Sequence, residues 1–197
     1  MGTSEYGIVE IRYIFMKIIN EYYEKETKRR SDIYLHLPRL KEIGKECDSV
    51  IEFGTRHVVS AWALAKSRPK KLTCVDLQKS ENIAILEKGC REAAIEFNFI
   101  QGDTLKIGIE ETDMIFIDTK HTYEQLKKEL QLHGNKAQKF LAFHDTETFG
   151  HVSENHDKTK GLLDAIYEFI ELYPHWKIYE KYDDNNGLTI LKRSHAH

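Results

Sequence analysis

From residue 49 onward, short apolar runs alternate with stretches of helical period. The first run is SVIEF, Ser49 to Phe53, in which Val50, Ile51 and Phe53 frame an acidic Glu52. Gly54 follows at once, and then HVVSAWALA, an apolar segment with helical spacing. This reads as a buried strand ending in a tight turn that feeds a helix. Gly54 can take the backbone conformation such a turn needs, and its missing side chain lets a ligand approach the main chain. The pattern then repeats. Lys71 to Asp76 (KLTCVD) predicts a second strand, and Ser80 to about Ile95 a second helix, with Ser80 or Asn82 near its cap. Phe97 to Ile100 is a short third strand leading into Gln101, Gly102 and Asp103. Asp113 to Asp118 (DMIFID) is a fourth, apolar on both faces as a central parallel strand should be. Thr122 to Gln125 fits a capping box that opens the helix TYEQLKKELQLH. Lys139 to Phe143 is a fifth strand, ending at His144 and Asp145. An amphipathic helix from Gly161 to Leu172 follows a polar loop, and Asp183 to Gly187 joins two final strands as a hairpin.

Before this alternation, Tyr6 to about Lys25 predicts one helix with a broad apolar face, suited to covering the core or meeting a second copy of the chain. Ser31 to about Lys45 predicts a helical segment in two pieces, broken at Pro38. Strands alternating with helices call for a doubly wound, mostly parallel α/β sheet with right-handed crossovers, of Rossmann-like type. The hairpin adds an antiparallel C-terminal edge strand. The expected organisation is one domain, with a helical cap at residues 1–46 and an α/β core at residues 47–197.

Composition narrows the partners. A net charge of -3 leaves no electrostatic footprint for nucleic acid. Glu10, Arg12, Lys17 and Glu21 interrupt the N-terminal apolar segment, so neither a signal peptide nor a membrane span is expected there. Cys47, Cys74 and Cys90 are odd in number and widely spaced, which fits buried thiols in a reducing, cytoplasmic compartment.

In an open parallel sheet the ligand lies beyond the carboxyl ends of the strands. Here those ends carry Glu52 with Gly54, Asp76, Gln101 to Asp103, Asp118 and Asp145. A dinucleotide site would want several glycines to seat its pyrophosphate, yet only Gly54 is present and Val58 stands where another is expected. Asp76 suits a bidentate hydrogen bond to ribose hydroxyls. A carboxylate-rich rim favours a cationic, phosphate-free nucleoside, and S-adenosylmethionine is such a ligand.

The order of motifs resembles that of class I S-adenosylmethionine-dependent methyltransferases. It is most similar to the small O-methyltransferase branch that includes macrolide-sugar methyltransferases and cephalosporin-hydroxylase-like proteins. The matching pieces are VIEFGTRHVVSAWAL, CVDL, QGD, MIFIDTKHTYEQLKKEL, AFHDT and the tail from Ala165 to Arg193. The resemblance implies that Glu52, Gly54, Thr55 and Ser60 surround the methionine end, with Arg56 nearby. It implies that Asp76, with Leu77 beside it, holds the ribose, and that Gln101, Gly102 and Asp103 lie near the adenine. Members of the branch that bind a divalent cation, such as Mg2+, use an Asp after the fourth strand and an acidic pair after the fifth. Asp118 and Asp145 match two of those positions, and His144 stands at the third. His144 and Asp145 would point to opposite faces of a continuing strand, so both can bind one ion only if the strand has ended.

His121 falls where relatives place a general base. A neutral imidazole there, working beside Asp118 and Asp145, can take a hydroxyl proton as the oxygen attacks a sulfonium methyl group. The loop after the fifth strand reads as a substrate lid, with His151, Glu154, His156 and Asp157 as an alternative metal cluster. The expected activity is O-methylation of a small hydroxyl-bearing molecule such as a sugar. Two rivals stand beside it: a non-catalytic S-adenosylmethionine or nucleoside-binding module, and a metal-dependent hydrolase or hydroxylase using Asp118, His121, His144 and Asp145.

Overall fold

The computed structural model describes residues 16–155 and 160–194. Their strands are β1 Ser49–Phe53, β2 Lys71–Asp76, β3 Glu96–Gln101, β4 Thr112–Ile117, β5 Ala137–His144, β6 Trp176–Tyr182 and β7 Leu188–Arg193. Their helices are α1 Lys17–Lys28, α2 Leu37–Gly44, α3 Ser60–Lys66, α4 Ile83–Glu92, α5 Tyr123–His133 and α6 Leu162–Leu172. The strands form one sheet in the order β3-β2-β1-β4-β5-β7-β6. β1 to β5 pair in parallel, and β7 lies antiparallel between β5 and β6. The chain runs outward from β1 through β2 to β3, then returns to start again at β4. That reversal opens a crevice at the carboxyl ends of β1 and β4.

Successive strand residues face opposite sides of the sheet, so each face receives its own apolar set. Val50, Leu72, Cys74, Met114 and Phe116 pack with α1 to α4. Ile51, Phe53, Val75, Ile115 and Ile117 pack with α5 and α6. Both faces of β1 and β4 are therefore buried, which is why these strands read as continuous apolar runs rather than alternating ones.

Some boundaries differ from the sequence expectation: the helix expected from Ser80 to about Ile95 is the shorter α4, and β5 begins two residues before Lys139. Pro38 sits in the first turn of α2 and starts a helix rather than splitting one. Its missing N–H costs nothing there, because first-turn amides have no helical partner. α3 begins at Ser60 rather than at His57, because Arg56 (φ 41°) and Val58 (φ 67°) are left-handed and cannot join a right-handed helix. Of the expected N-terminal helix, residues 6–15 lie outside the described residues. Its described part, α1, covers the core: Tyr22 stacks on Trp62 of α3 with ring centroids 4.5 Å apart.

Candidate active site

Gly54 (φ +87°) carries the turn after β1. A Cβ at this position would run into the Asp118 carbonyl, so the glycine is needed first for packing of the turn against the end of β4. Gly54 N donates to Val75 O at 2.9 Å and Asp118 N to Phe53 O at 2.9 Å, which draws the ends of β1, β2 and β4 together. Farther along the turn, Val58 is wholly buried in the core. A β-branched residue with positive φ is strained, and such strain gathers at ligand-binding turns.

Two lobes of one crevice meet at Gly54, Arg56 and Asp118. The larger, about 360 Å³, is lined by Asp76, Leu77, Gly102, Asp103, Thr119 and Gln125 among others. The smaller, about 180 Å³, is lined by Ser31, Asp32, Ile33, Thr55, His57 and Ser60 among others. Asp76 accepts from Arg56 N at 2.8 Å and Gln78 N at 3.0 Å, each oxygen keeping a lone pair for a ligand. Leu77 is 67% exposed on the rim, an apolar surface next to that carboxylate. Gln101 turns aside, its Nε2 donating to Leu77 O at 3.2 Å. Behind the larger lobe the buried Glu129 accepts from Thr104 Oγ1 at 2.6 Å and Thr119 Oγ1 at 2.9 Å, joining its two walls.

Glu52 does not reach the crevice. It is fully buried beneath the smaller lobe, accepting from Ser60 Oγ at 2.5 Å and Cys74 Sγ at 3.4 Å. Burial pushes its carboxyl up to about 7, against the hydrogen bond from Ser60. Its folded pKa thus lies above its ordinary value of 4.5. A raised pKa contributes stability that is fully present below the ordinary value and lost as pH rises through the folded one. Glu52→Gln, which fixes the neutral shape, is therefore expected to melt several degrees above wild type at pH 8, a gain of about 2–3 kcal/mol. That gap should vanish near pH 4.5, and equal melting temperatures at pH 8 would mean the buried carboxylate is stabilised some other way.

Past Asp118 lies the acidic cluster. His121 Nε2 stands 2.8 Å from Asp145 Oδ2 and 3.4 Å from Asp118 Oδ1. Its Nδ1 stands 3.0 Å from Glu154 Oε2, and its ring lies flat on Phe149 with centroids 4.9 Å apart. His144 approaches from beneath, Nδ1 at 3.3 Å from Asp145 Oδ2 and 3.6 Å from Asp118 Oδ1. β5 ends at His144, and Asp145 takes a left-handed φ of 60°, which turns both side chains onto Asp118. Burial disfavours charge on either histidine, but the carboxylates of Asp118 and Asp145 beside them outweigh it and push both pKa values up to about 10. Burial would raise the Asp145 carboxyl; the two histidines overcome this and hold it well below the usual carboxylate range. Three carboxylates surround His121, so this geometry favours its protonated form over the neutral form expected from sequence.

Ligand atoms of Asp118, His121 and Asp145 all lie within 4.8 Å of one another, and Asp145 Oδ1 is buried without a partner. Carboxylate and imidazole donors converging on an unpartnered oxygen fit a divalent cation. In the loop, Glu154 is drawn to His121, while His156 and Asp157 lie outside the described residues. Sequence reading placed Glu154 in a lid and did not connect it with His121; separations of 33 residues carry no local signal.

The sheet order β3-β2-β1-β4-β5-β7-β6 is that of the class I methyltransferase fold. Solved structures with this fold include an SAH-bound methyltransferase from Podospora anserina, at 12% identity and TM-score 0.60, covering 99% of this chain and 98% of that one. An O-methyltransferase from Bacillus cereus in complex with SAH is 14% identical with TM-score 0.60, covering 90% and 91%. The N-methyltransferase NodS from Bradyrhizobium japonicum, bound to S-adenosyl-l-homocysteine, is 12% identical with TM-score 0.61, covering 92% and 99%. No family model matches the chain, and no curated protein matches it in sequence. Among the described residues, no helix is long and apolar enough to cross a membrane.

Proposed function

We propose that the protein is an S-adenosylmethionine-dependent methyltransferase acting on an oxygen of a small hydroxyl-bearing molecule such as a sugar. One observation carries the reading: the two lobes of the crevice join at Gly54 and Asp118, beside the Asp118, His121 and Asp145 cluster. In that frame the larger lobe takes the nucleoside, with Asp76 on the ribose hydroxyls and Leu77 against the adenine. The smaller lobe takes the methionine end, between Thr55, Ser60 and Arg56.

Bound there, the cofactor would supply a sulfonium methyl group. A divalent cation such as Mg2+ would be held by Asp118 and Asp145, with His144 Nδ1 in reach of both as the imidazole donor in place of His121, and would supply positive charge that acidifies a hydroxyl beside it. His121, 18% exposed, is the group that faces the acceptor. With a cation on Asp118 and Asp145, these carboxylates would grip its proton less, which would bring His121 toward the range in which imidazole is a base. Glu154 would then keep the ring oriented through Nδ1, while Nε2, giving up its contact with Asp145, would receive the acceptor's proton. Cys47, Cys74 and Cys90 are all buried free thiols, and we place the protein in the reducing cytoplasm on that basis.

Calorimetry with S-adenosylmethionine and S-adenosylhomocysteine, with and without magnesium, tests the cofactor. Micromolar binding is expected for wild type. Asp76→Ala should weaken it by about 10- to 100-fold, the loss of charge-assisted hydrogen bonds. No binding in either metal condition overturns the reading. Metal-dependent turnover that ignores the cofactor would point instead to a hydrolase or hydroxylase.

A further inference from the structure

We infer that Asn185, in the turn between β6 and β7, is a positioning residue that ties the wall of the smaller lobe to the acidic cluster. The inference rests on the methyltransferase reading, which gives the smaller lobe to the methionine end of the cofactor. Asn185 Oδ1 accepts from Leu35 N at 2.8 Å, and Asn185 Nδ2 donates to Ser31 O at 3.0 Å. The two bonds bracket Ser31 to Leu35, a segment whose Ser31, Asp32 and Ile33 line the smaller lobe. The main chain of the same residue turns the other way: Asn185 O lies 3.2 Å from His144 Nε2. With that nitrogen on a carbonyl, Nδ1 of His144 is left facing Asp118 and Asp145.

Neighbouring residues of the turn extend the same tie. Asp184 O lies 3.0 Å from His36 Nε2, and the His36 ring meets His144 edge-on at 5.7 Å. Asn186 O accepts from Glu147 N at 2.8 Å and Thr148 N at 3.1 Å, at the start of the loop that leads to Glu154. One turn therefore touches the cofactor lobe, the end of β5 and the loop that orients His121.

The residue type follows from these contacts. An amide offers an acceptor and a donor from one plane, matching the N–H of Leu35 and the carbonyl of Ser31. Asn185 also has φ 45°, which asparagine tolerates better than most residues. Asn186 and Gly187 already supply the hairpin's other left-handed positions. The side chain of Asn185 makes its bonds outside its own turn, so hairpin formation alone does not call for it.

Two variants separate positioning from simple packing. Asn185→Gly keeps the left-handed backbone and the carbonyl facing His144, but drops both side-chain bonds. Asn185→Asp keeps the acceptor for Leu35 and sets an oxygen against the Ser31 carbonyl. Affinity for S-adenosylhomocysteine is measured by calorimetry, and affinity for adenosine, which occupies the larger lobe alone, by NMR titration. Both variants are expected to bind S-adenosylhomocysteine about tenfold more weakly, the scale of two lost hydrogen bonds in Asn185→Gly and of one lost bond plus an oxygen–oxygen repulsion in Asn185→Asp, with adenosine affinity unchanged. Trypsin should also cut faster after Arg29 and Arg30 in the folded variants. Unchanged S-adenosylhomocysteine affinity, or an equal loss for both ligands, overturns the inference. Wild type that binds neither ligand overturns the methyltransferase reading itself, and the trypsin comparison then still reports whether Asn185 holds the segment.

Discussion

His121→Ala is expected to cut methyl transfer by about 10²- to 10⁴-fold, the usual scale of a positioned general base. Affinity for S-adenosylhomocysteine should stay within about threefold, because the ring lies past the crevice rather than on either lobe. The ring is held from both nitrogens, by Asp145 at 2.8 Å and Glu154 at 3.0 Å, so its orientation is set before an acceptor arrives. Preorganisation of that kind is what lets a base contribute at the moment of transfer. Glu154→Gln should give a smaller loss, since the ring keeps Asp145 but is less firmly oriented. The measurement is turnover with an acceptor that wild type methylates, alongside calorimetry. Unchanged turnover in His121→Ala would remove its catalytic role and leave proton removal to the acidic cluster alone.

Gly54→Ala is expected to destabilise the fold by about 3 kcal/mol or more, in the range of severe backbone conflicts. Two penalties combine. The added Cβ would meet the Asp118 carbonyl, a main-chain group that cannot swing away like a side chain. Position 54 also has φ +87°, where an L side chain is strained. Relief would require β1 and β4 to part at their carboxyl ends, which would move Asp118 away from Asp145 and His121. Urea denaturation of the two proteins measures the effect. A loss under about 1 kcal/mol would mean that the turn relaxes without disturbing β4.

Much of this architecture was legible because its signals are local. β1, β2 and β4 lie within a residue of the runs SVIEF, KLTCVD and DMIFID. Thr122 caps α5, accepting from Gln125 N at 3.3 Å, but only this half of the expected capping box forms, because the Gln125 side chain turns to Thr104 and Glu129. Gly54, Asp76, Gly102, Asp103 and Asp118 line the larger lobe because strands of one parallel sheet end on one side. Failures have equally local causes. The helix after β1 starts late because left-handed backbone at Arg56 and Val58 leaves no trace in hydropathy. Glu52 reads as a ligand contact from its place at a strand end, but its parity along β1 points it into the face covered by α1 to α4.

The sequence by itself determined the alternation of strands and helices, the side of the sheet on which polar chemistry gathers, and the residue types available there. Hydrophobic period and strand-end position carry that information within a few residues. Only the tertiary structure decided which of those residues meet. Glu154 reaches His121, Asn185 reaches both Ser31 and His144, and the left-handed Asp145 swings beside His144. Such contacts depend on how distant segments pack and where a strand stops, and so does the charge they impose on His121. No local pattern records them, because their free energy appears only when the sheet has closed and the loops lie against its edge.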